Sequence, residues 1–493
     1  MATLTYTDLM TMDLGKLSTA VGDWKIMAGE LAKLETAARD GLLKKSESAR
    51  WQGVNATVTK DFVRSTTKEF ADLQAEAASI HSVLVDAHAE LVNLQKRAKA
   101  LTEEAARGSE KDAGLLVTDA GDGTVRVMEM MCAPEGTTQR TKDLMQWYAD
   151  TITGVIAHAA EVDAAATRAL KRSHGGDPHN AGHATYTSLD EDQLPRAMNL
   201  ASLGGDADSK QRAELQRLWK SLSPDARAEL WKDQKDNLLA AGLLTPTVKR
   251  IAPDAGTGRH GSASPGFGDH MTYEKADMLV AGADTLGMPD AARNMKHYLN
   301  NSGSPMDLPV DKMMYDDPQF RTLVEQNIAD HRQRWRTQAL EEFEKSGGKS
   351  VSIPVETGNY EHSFDPNEQD NWYYAVGSTR SNVTGVVTVT PGADGKPPTV
   401  ALDYQVNAWD RYNWDEGKGV NIGPFQIPDG EMGKLHTNGL AQEYDMRGSS
   451  SVKHYELGDE VSGPPPAPDE PGRDDGRTDP GRESIQGPGV GLR

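Results

Sequence analysis

Apolar residues recur every three or four positions near the N-terminus and predict two long amphipathic helices. The first stripe begins at Leu14 and fades over the more polar residues 32–50. The second is stricter, because apolar residues alternate steps of three and four over residues 70–101 without a slip. A 3.5-residue repeat of this length favours coiled-coil packing against another helix. The pattern therefore predicts a helical hairpin that bends near Gly53.

The second helix is too long for the first to cover. Over residues 54–106 it would measure about 80 Å at ~1.5 Å per residue, so the rest of its stripe must meet another helix, in this chain or another. Residues 137–171 are a candidate because they carry a third stripe at helical spacing. Between the two, residues 114–128 predict a β-hairpin around an Asp-Gly turn; a calcium loop is the alternative, although its Asp spacing is not that of an EF-hand.

Further along the chain the period of the pattern changes. Helical patterns continue to residue 346, interrupted by a Gly/Ser/Pro-rich flexible loop over 252–270. After residue 347, alternation at period two predicts strands, followed by a helix over about 429–444. The Pro/Gly-rich, charged end of the chain predicts a disordered tail. The predicted N-terminal bundle, helical middle region, β-rich domain and tail cover residues 1–175, 190–346, 347–461 and 462–493.

These elements predict an α+β fold. It consists of a long N-terminal antiparallel helical hairpin or bundle, a helical middle region, and a small C-terminal β-rich domain with one packed helix.

Composition narrows the classes of function. The chain has 53 basic and 74 acidic residues, a net charge of −21, which argues against a general nucleic-acid or anionic-membrane binder but leaves room for a local basic patch. No apolar run approaches ~18 residues, so no transmembrane helix is expected. The N-terminus lacks the features of a Sec-type signal peptide. The single Cys132 excludes an intrachain disulfide and a cysteine-based zinc site.

Trp51-Gln-Gly53 lies at the predicted bend, and with it the region 1–106 resembles the WXG100 (ESX-type) modules of type VII secretion substrates. The resemblance implies a helical partner of the same type, or self-association through the N-terminal helices, in a four-helix bundle. It also implies secretion or a cell-envelope location by a signal-peptide-independent route; the alternative location is cytoplasmic. An ordinary antiparallel coiled coil with an incidental W-x-G is the structural alternative.

Two features differ from the small single-module members of that family. The second helix is overlong, and about 390 residues follow it. This layout resembles larger actinobacterial effectors, in which such a module precedes a variable C-terminal domain. The family's Y-x-x-x-D/E export motif matches at Tyr273–Asp277 and at Tyr455–Asp459, as often as chance supplies it.

Candidate chemistry is concentrated in the C-terminal domain. The run from Trp409 to Glu416 is dense in functional side chains and is expected at the end of a strand or in the loop after it. On the predicted helix, Met432, His436, Gly439 and Glu443 would share one face. Carboxylates beside a histidine could perform general acid–base hydrolysis or hold a metal; the alternative is a buried histidine that ties the helix to a strand. The candidate catalytic residues are His436, Glu443, Asp410, Tyr412 and Asp415.

No cofactor is predicted. The oxygen-rich segment 365–370 could ligate a divalent cation, but a solvated loop explains it as well. The leading hypothesis is a type VII-like secreted effector whose C-terminal domain is an antibacterial toxin, of hydrolase type if it is an enzyme, with an immunity protein as a further partner. The alternative is a non-enzymatic envelope or assembly protein with a helical stalk and a β-rich binding domain.

Overall fold

The protein has a mixed α+β fold with long N-terminal helices and a C-terminal sheet, which confirms the predicted fold class. In the computed structural model two compact units form, each from several segments of the chain. Unit 1 comprises Met1–Ala255, Gln338–Pro354 and Thr388–Pro398, and unit 2 comprises Gly256–Thr337, Val355–Val387 and Thr399–Arg493. The structure describes residues 4–108, 114–130, 139–173, 185–246, 256–393, 396–414, 419–422 and 425–458.

Unit 1 begins with the helical hairpin. Thr5 and Asp8 form a capping box at the start of the first helix, and Asp13 caps the second. The Trp51-Gln-Gly53 bend follows a third, short helix. The elements are α1 (Tyr6–Thr11), α2 (Leu14–Thr36), a π-helical segment (Ala37–Leu43), α3 (Lys44–Ser48) and α4 (Val54–Arg107). The prediction of a long helix after the bend is confirmed.

A β-hairpin and a third long helix follow α4. Strands β1 (Leu115–Asp119) and β2 (Val125–Glu129) pair antiparallel, which confirms the predicted hairpin. The carboxylates of Asp119 and Asp122 accept hydrogen bonds from backbone N–H groups of the turn, as turn chemistry requires. Helix α5 (Gln139–Ser173) then packs along α4, and the two helices share one buried apolar cluster.

Shorter helices complete the described N-terminal part of unit 1. Ser223 accepts a hydrogen bond from the Ala226 N–H and Pro224 occupies the first turn, the predicted helix start. The elements are α6 (Asp190–Ala201), a 3₁₀ turn (Gly204–Asp206), α7 (Ser209–Ser221) and α8 (Pro224–Ala240).

The remaining elements build the sheet and its helices. The strands are β3 (Met306–Asp307), β4 (Val351–Glu356), β5 (Tyr360–Ser363), β6 (Ser378–Thr390), β7 (Thr399–Tyr412), β8 (Gly419–Ile422), β9 (Phe425–Pro428), β10 (Tyr444–Ser449) and β11 (Lys453–Glu456). The helices are α9 (Phe267–Thr285), α10 (Pro289–Leu299), α11 (Val310–Asp316), α12 (Pro318–Lys345), α13 (Asp370–Ala375) and α14 (Asp429–Thr437). The seven-stranded sheet has the order β3-β10-β7-β6-β4, with β11 paired to β7 and β5 to β6; β8 and β9 form a separate antiparallel pair.

Two predictions differ from this arrangement. The helix predicted over about 429–444 begins where expected, but its predicted end is wrong, because α14 ends at Thr437 and a strand begins at Tyr444. The predicted domain boundary at 346/347 does not coincide with the compact units, since helices of residues 256–337 belong to the same unit as most of the sheet. The tail over 462–493 and Cys132 lie outside the described residues.

Candidate functional sites

His436 and Glu443 come together, but not on one helix. Gly439 has a φ of +80°, a left-handed backbone conformation that residues other than glycine rarely adopt, and it follows the end of α14. The Leu440 and Ala441 N–H groups both donate to the Leu435 carbonyl, so the chain turns back over the end of the helix. Glu443 then lies immediately before β10. The predicted alignment of four residues on one helical face is therefore replaced by a tight turn.

Both ring nitrogens of His436 are engaged. Its Nδ1 accepts from the Glu443 N–H at 3.1 Å, and its Nε2 donates to the Gly258 carbonyl at 2.9 Å. Burial lowers the pKa of His436 below its usual range, an effect that the nearby Glu443 carboxylate opposes. The neutral imidazole with a proton on Nε2 satisfies both contacts. This geometry is that of the alternative predicted above, a histidine that ties segments together.

The Glu443 carboxylate is fully buried. Its Oε1 accepts from the Thr257 N–H at 2.9 Å and from the Thr257 hydroxyl. Its Oε2 lies 3.6 Å from the Arg411 Nε and 3.8 Å from the His436 Nε2. Among the described residues neither Glu443 Oε2 nor Arg411 Nε has a hydrogen-bond partner. The site thus buries a charged pair whose atoms approach without closing a hydrogen bond.

Residues 256–263, here called the strap, cover this pair. Besides the contacts of Thr257 and Gly258, the Gly261 N–H donates to the His436 carbonyl at 3.2 Å and the Ala263 N–H to the Thr437 carbonyl at 2.9 Å. A side chain at Gly256 would overlap the Glu443 carboxylate, so the close approach requires glycine there. The sequence predicted a flexible loop over 252–270, whereas the strap is hydrogen-bonded along its length.

Of the other predicted site residues, Asp410 and Tyr412 lie in a strand, and Asp415 is not among the described residues. Asp410 and Tyr412 are among the last three residues of β7, which is the strand end that the sequence predicted for this run. Strand alternation places both on the sheet face opposite Arg411. The Tyr412 ring stacks on Tyr444 at 5.1 Å, and burial raises its pKa far above the usual range. Asp415 lies outside the described residues.

Two residues that contact the Glu443 carboxylate were not predicted. Arg411 lies in the dense run after Trp409, and its alternation with Asp410 and Tyr412 was the available signal. Thr257 had no usable signal, because it is separated by 186 positions from Glu443 and sits in a Gly-rich stretch typical of loops.

A second candidate site lies on the part of the hairpin between its bend and Ser79, here called the distal hairpin. Ser79 Oγ is 2.7 Å from Ser173 Oγ, so α5 ends beside the middle of α4. From there to its C-terminus α4 buries Val83, Ala87, Leu94 and further residues with α5. On the N-terminal side of Ser79, apolar side chains that are four or eleven residues apart lie on this same face of α4. There, however, they are exposed. The open face, as we call it, consists of Val54, Val58, Phe62 and Leu73, which are 81%, 62%, 69% and 41% exposed.

Apolar exposure continues around the bend. Trp51 is 50% exposed, and Leu42 in the π-helical segment is also exposed. On α2, Ile26, Met27 and Leu34 face solvent. Monomeric soluble proteins rarely leave contiguous apolar patches of this kind uncovered. Among the described residues, no third helix lies along the distal hairpin as α5 does along the proximal bundle.

The remaining candidates are occupied by ordinary structural contacts. The Asp365 carboxylate accepts from the Asn367 N–H as in a turn. Tyr273 donates to the Leu299 carbonyl at 3.4 Å, and Tyr455 is buried in β11, while Asp459 lies outside the described residues. In the part of the chain that is described, no group of three or more His, Cys, Asp or Glu could hold a metal ion. Within the same residues no helix is both long and apolar enough to cross a membrane.

Comparisons of the chain with protein-family models, with curated proteins and with solved structures found no match.

Proposed function

We propose that the distal hairpin is a docking module for a partner helix, and that the protein is a type VII-like export substrate which uses this module. The observation that carries the proposal is the change in coverage of one face of α4. After Ser79 this face is buried with α5, whereas Val58 and Phe62 before it are exposed. A helix laid in line with α5 would continue the existing packing over about 37 Å, the length of 25 residues at ~1.5 Å each.

The chemistry of the open face specifies a helical occupant. Its apolar side chains recur at helical spacing, which is how an amphipathic helix is recognised in a groove. Burial of an exposed Phe or Val contributes roughly 1.5–3 kcal/mol, so covering the open face contributes to the free energy of binding a partner. The W-x-G bend and the resemblance to WXG100 modules support a small helical-hairpin protein as that partner.

A co-purification and export experiment tests the proposal. The full chain would be expressed, in a bacterium with a type VII secretion system, together with a small helical-hairpin protein encoded beside its gene. We expect a 1:1 complex by light scattering and appearance of the chain in the medium that depends on the secretion ATPase. Val58→Asp/Phe62→Asp should abolish both, whereas the matched exposed change Leu116→Asp on β1 should alter neither. Unchanged complex and export in the open-face variant would refute the proposal.

The second candidate function is a non-enzymatic assembly protein, and the geometry of unit 2 favours it over a hydrolase. General acid–base catalysis needs a group that can reach substrate with a free proton or lone pair. Both nitrogens of His436 are committed, and Glu443 is covered by the strap. The toxin hypothesis predicts that the full chain arrests growth when directed to the cytoplasm or the periplasm, and that His436→Gln relieves the arrest; harmless expression in both compartments argues for the assembly protein.

A further inference from the structure

The strap over Glu443 is fastened by hydrogen bonds and not by an apolar core. Of residues 256–263 only Ala263 has an apolar side chain, and the glycines at 256, 258 and 261 have positive φ. Gly258 and Arg259 are exposed, so the outer side of the strap faces solvent. Segments with few buried apolar contacts open locally at a lower free energy than the whole domain unfolds. The hydrogen bonds beneath the strap therefore decide whether it is closed.

Those hydrogen bonds converge on two side chains. The Thr257 N–H donates to the Glu443 carboxylate at 2.9 Å, and His436 Nε2 donates to the Gly258 carbonyl at 2.9 Å. Two further N–H groups of the strap donate to carbonyls at the end of α14. Glu443 is itself fixed by His436, because its N–H donates to the imidazole Nδ1 at 3.1 Å. His436 thus joins the strap, α14 and the turn before β10.

This arrangement requires a neutral imidazole. A ring that accepts at Nδ1 and donates at Nε2 is neutral, whereas an imidazolium carries a proton on both nitrogens and accepts at neither. Protonation would therefore place two donors, the Glu443 N–H and Nδ1–H, against each other. His436 is also only 3% exposed, so its charge would be cut off from water. A proton can be taken up only if the turn that carries Glu443 moves away.

The ionisable groups around His436 do not remove this conflict. The groups that face it are Glu443 before β10, Arg411 on β7, His260 on the strap and Tyr298 on α10. The Glu443 carboxylate favours the charged imidazole, but Arg411 lies 3.6 Å from the same carboxylate and opposes that charge, as does His260, whose ring centroid is 5.2 Å away. Burial raises the pKa of Tyr298 well above its usual range, so its hydroxyl stays neutral. Helix α9 and strand β9 also pack against α14; the described buried residues of α9 and the sequence of β9 contain no ionisable side chain.

We propose that His436 is a pH-sensitive switch for the strap: a proton on its Nδ1 frees the turn before β10 and, through Glu443, releases Thr257. In the closed form burial holds the pKa of His436 below its usual value of 6.5, and in the open form the pKa returns toward that value. The strap is therefore closed above pH 6.5 and opens increasingly as the pH falls below it. Opening uncovers the buried Glu443–Arg411 pair. The switch lies in unit 2 and does not depend on the docking surface of α4, so either proposal can fail alone.

Hydrogen exchange of the full chain, read by mass spectrometry and corrected for the intrinsic pH dependence of exchange, tests the switch. Protection of the strap amides should be constant above pH 6.5 and should fall by up to about tenfold per pH unit below it, the limit for uptake of one proton. Amides in the middle of β7 should stay protected down to about pH 5. In a chain labelled with ¹⁵N-histidine, His436 should show the Nε2–H tautomer at neutral pH and should titrate below pH 6.5.

Two matched variants assign the effect to one histidine. His436→Gln keeps a donor and an acceptor but cannot titrate, so protection of the strap should lose its pH dependence. His260→Gln removes the neighbouring imidazole and should leave that dependence in place. The reverse result, with the dependence kept in His436→Gln or lost in His260→Gln, would refute the switch.

The wild-type chain alone can also overturn the proposal, whether or not the variants fold. Equal protection of the strap at pH 7.5 and pH 5 would show that no switch exists. A loss of β7 protection in parallel with that of the strap would show that unit 2 unfolds as a whole. A His436 signal that titrates at or above pH 6.5 in the folded chain would show that closure of the strap does not oppose the proton.

Discussion

Both halves of α4 carry apolar residues on one face, but the two halves have opposite surroundings. After Ser79 this face is buried with α5, whereas before it Val58 and Phe62 lie in solvent. The stripe without a slip begins only at residue 70, yet Val58 and Phe62 lie on the same face by helical spacing, so the two apolar segments differ in coverage. A periodic stripe therefore identifies a face that needs a partner, and only the structure shows where the chain itself supplies one. Unit 2 shows the reverse, since it buries charge at Glu443 where the hairpin exposes apolar surface.

The largest expected effect separates the two halves of α4 directly. Leu94→Ala on the covered half should destabilise unit 1 by about 2–5 kcal/mol, because it removes buried methyl groups and leaves a cavity. Hydrogen exchange of α4 and α5 amides, followed through urea unfolding, measures the cost. A loss below ~0.5 kcal/mol, the usual range for surface changes, would show that the covered half is not a packed core.

Acid should destabilise unit 1 through His158, which lies in α5. Burial, reinforced by nearby cations such as Lys220, lowers the pKa of His158 to about 4. In the unfolded chain His158 takes up a proton near pH 6.5, whereas in the folded chain it does so only near pH 4. The free energy of unfolding is therefore unaffected above pH 6.5 and falls as the pH drops from about 6.5 to about 4. The difference amounts to about 3 kcal/mol at ~1.36 kcal/mol per pKa unit. Unfolding of His158→Leu should lose this pH dependence; an equally steep profile would contradict the assignment.

In unit 2, Glu443→Gln should cost about 2 kcal/mol, since it removes a buried charge beside Arg411 while leaving an acceptor for Thr257. Amide exchange in the strap and in α14 should accelerate. The exposed Glu361→Gln on β5 is the matched control and should change neither. Unchanged protection of the strap in Glu443→Gln would mean that the carboxylate does not hold it.

The smallest expected effect on stability is on the open face. Phe62→Ala should change the free energy of unfolding by less than about 0.5 kcal/mol, because its side chain is largely solvated. The same change should weaken binding of the helical-hairpin partner measurably, so binding and stability separate at this position. A destabilisation comparable to that of Leu94→Ala would show that the open face is internally packed.

The sequence predicted those elements whose signal is local. The stripe over residues 70–101 requires one continuous helix, and the Asp-Gly turn at 122–123 places the hairpin. The end of the helix predicted over about 429–444 was wrong, because a single glycine, Gly439, takes a left-handed conformation that the apolar spacing does not reveal. His436 and Glu443 were paired correctly for the wrong reason, since a tight turn and not a helical face brings them together.

What the sequence could not provide depends on distant contacts. Thr257 reaches Glu443 across 186 positions, and no spacing rule connects a Gly-rich loop with a strand end. The exposure of Phe62 is likewise invisible in the pattern, because it depends on where α5 ends. Both features concern which surfaces meet, and they are the features on which function rests.

The most direct test of the central claim is thiol labelling on the two halves of α4. In a Cys132→Ser background, Phe62→Cys and Leu94→Cys would be reacted with a maleimide in the chain alone and with increasing amounts of the helical-hairpin partner. We expect rapid labelling at position 62 in the chain alone, slowing in step with the bound fraction, and slow labelling at position 94 throughout. Labelling at position 62 that stays fast when the partner is bound, or that is as slow as at position 94 in the chain alone, would contradict the proposal.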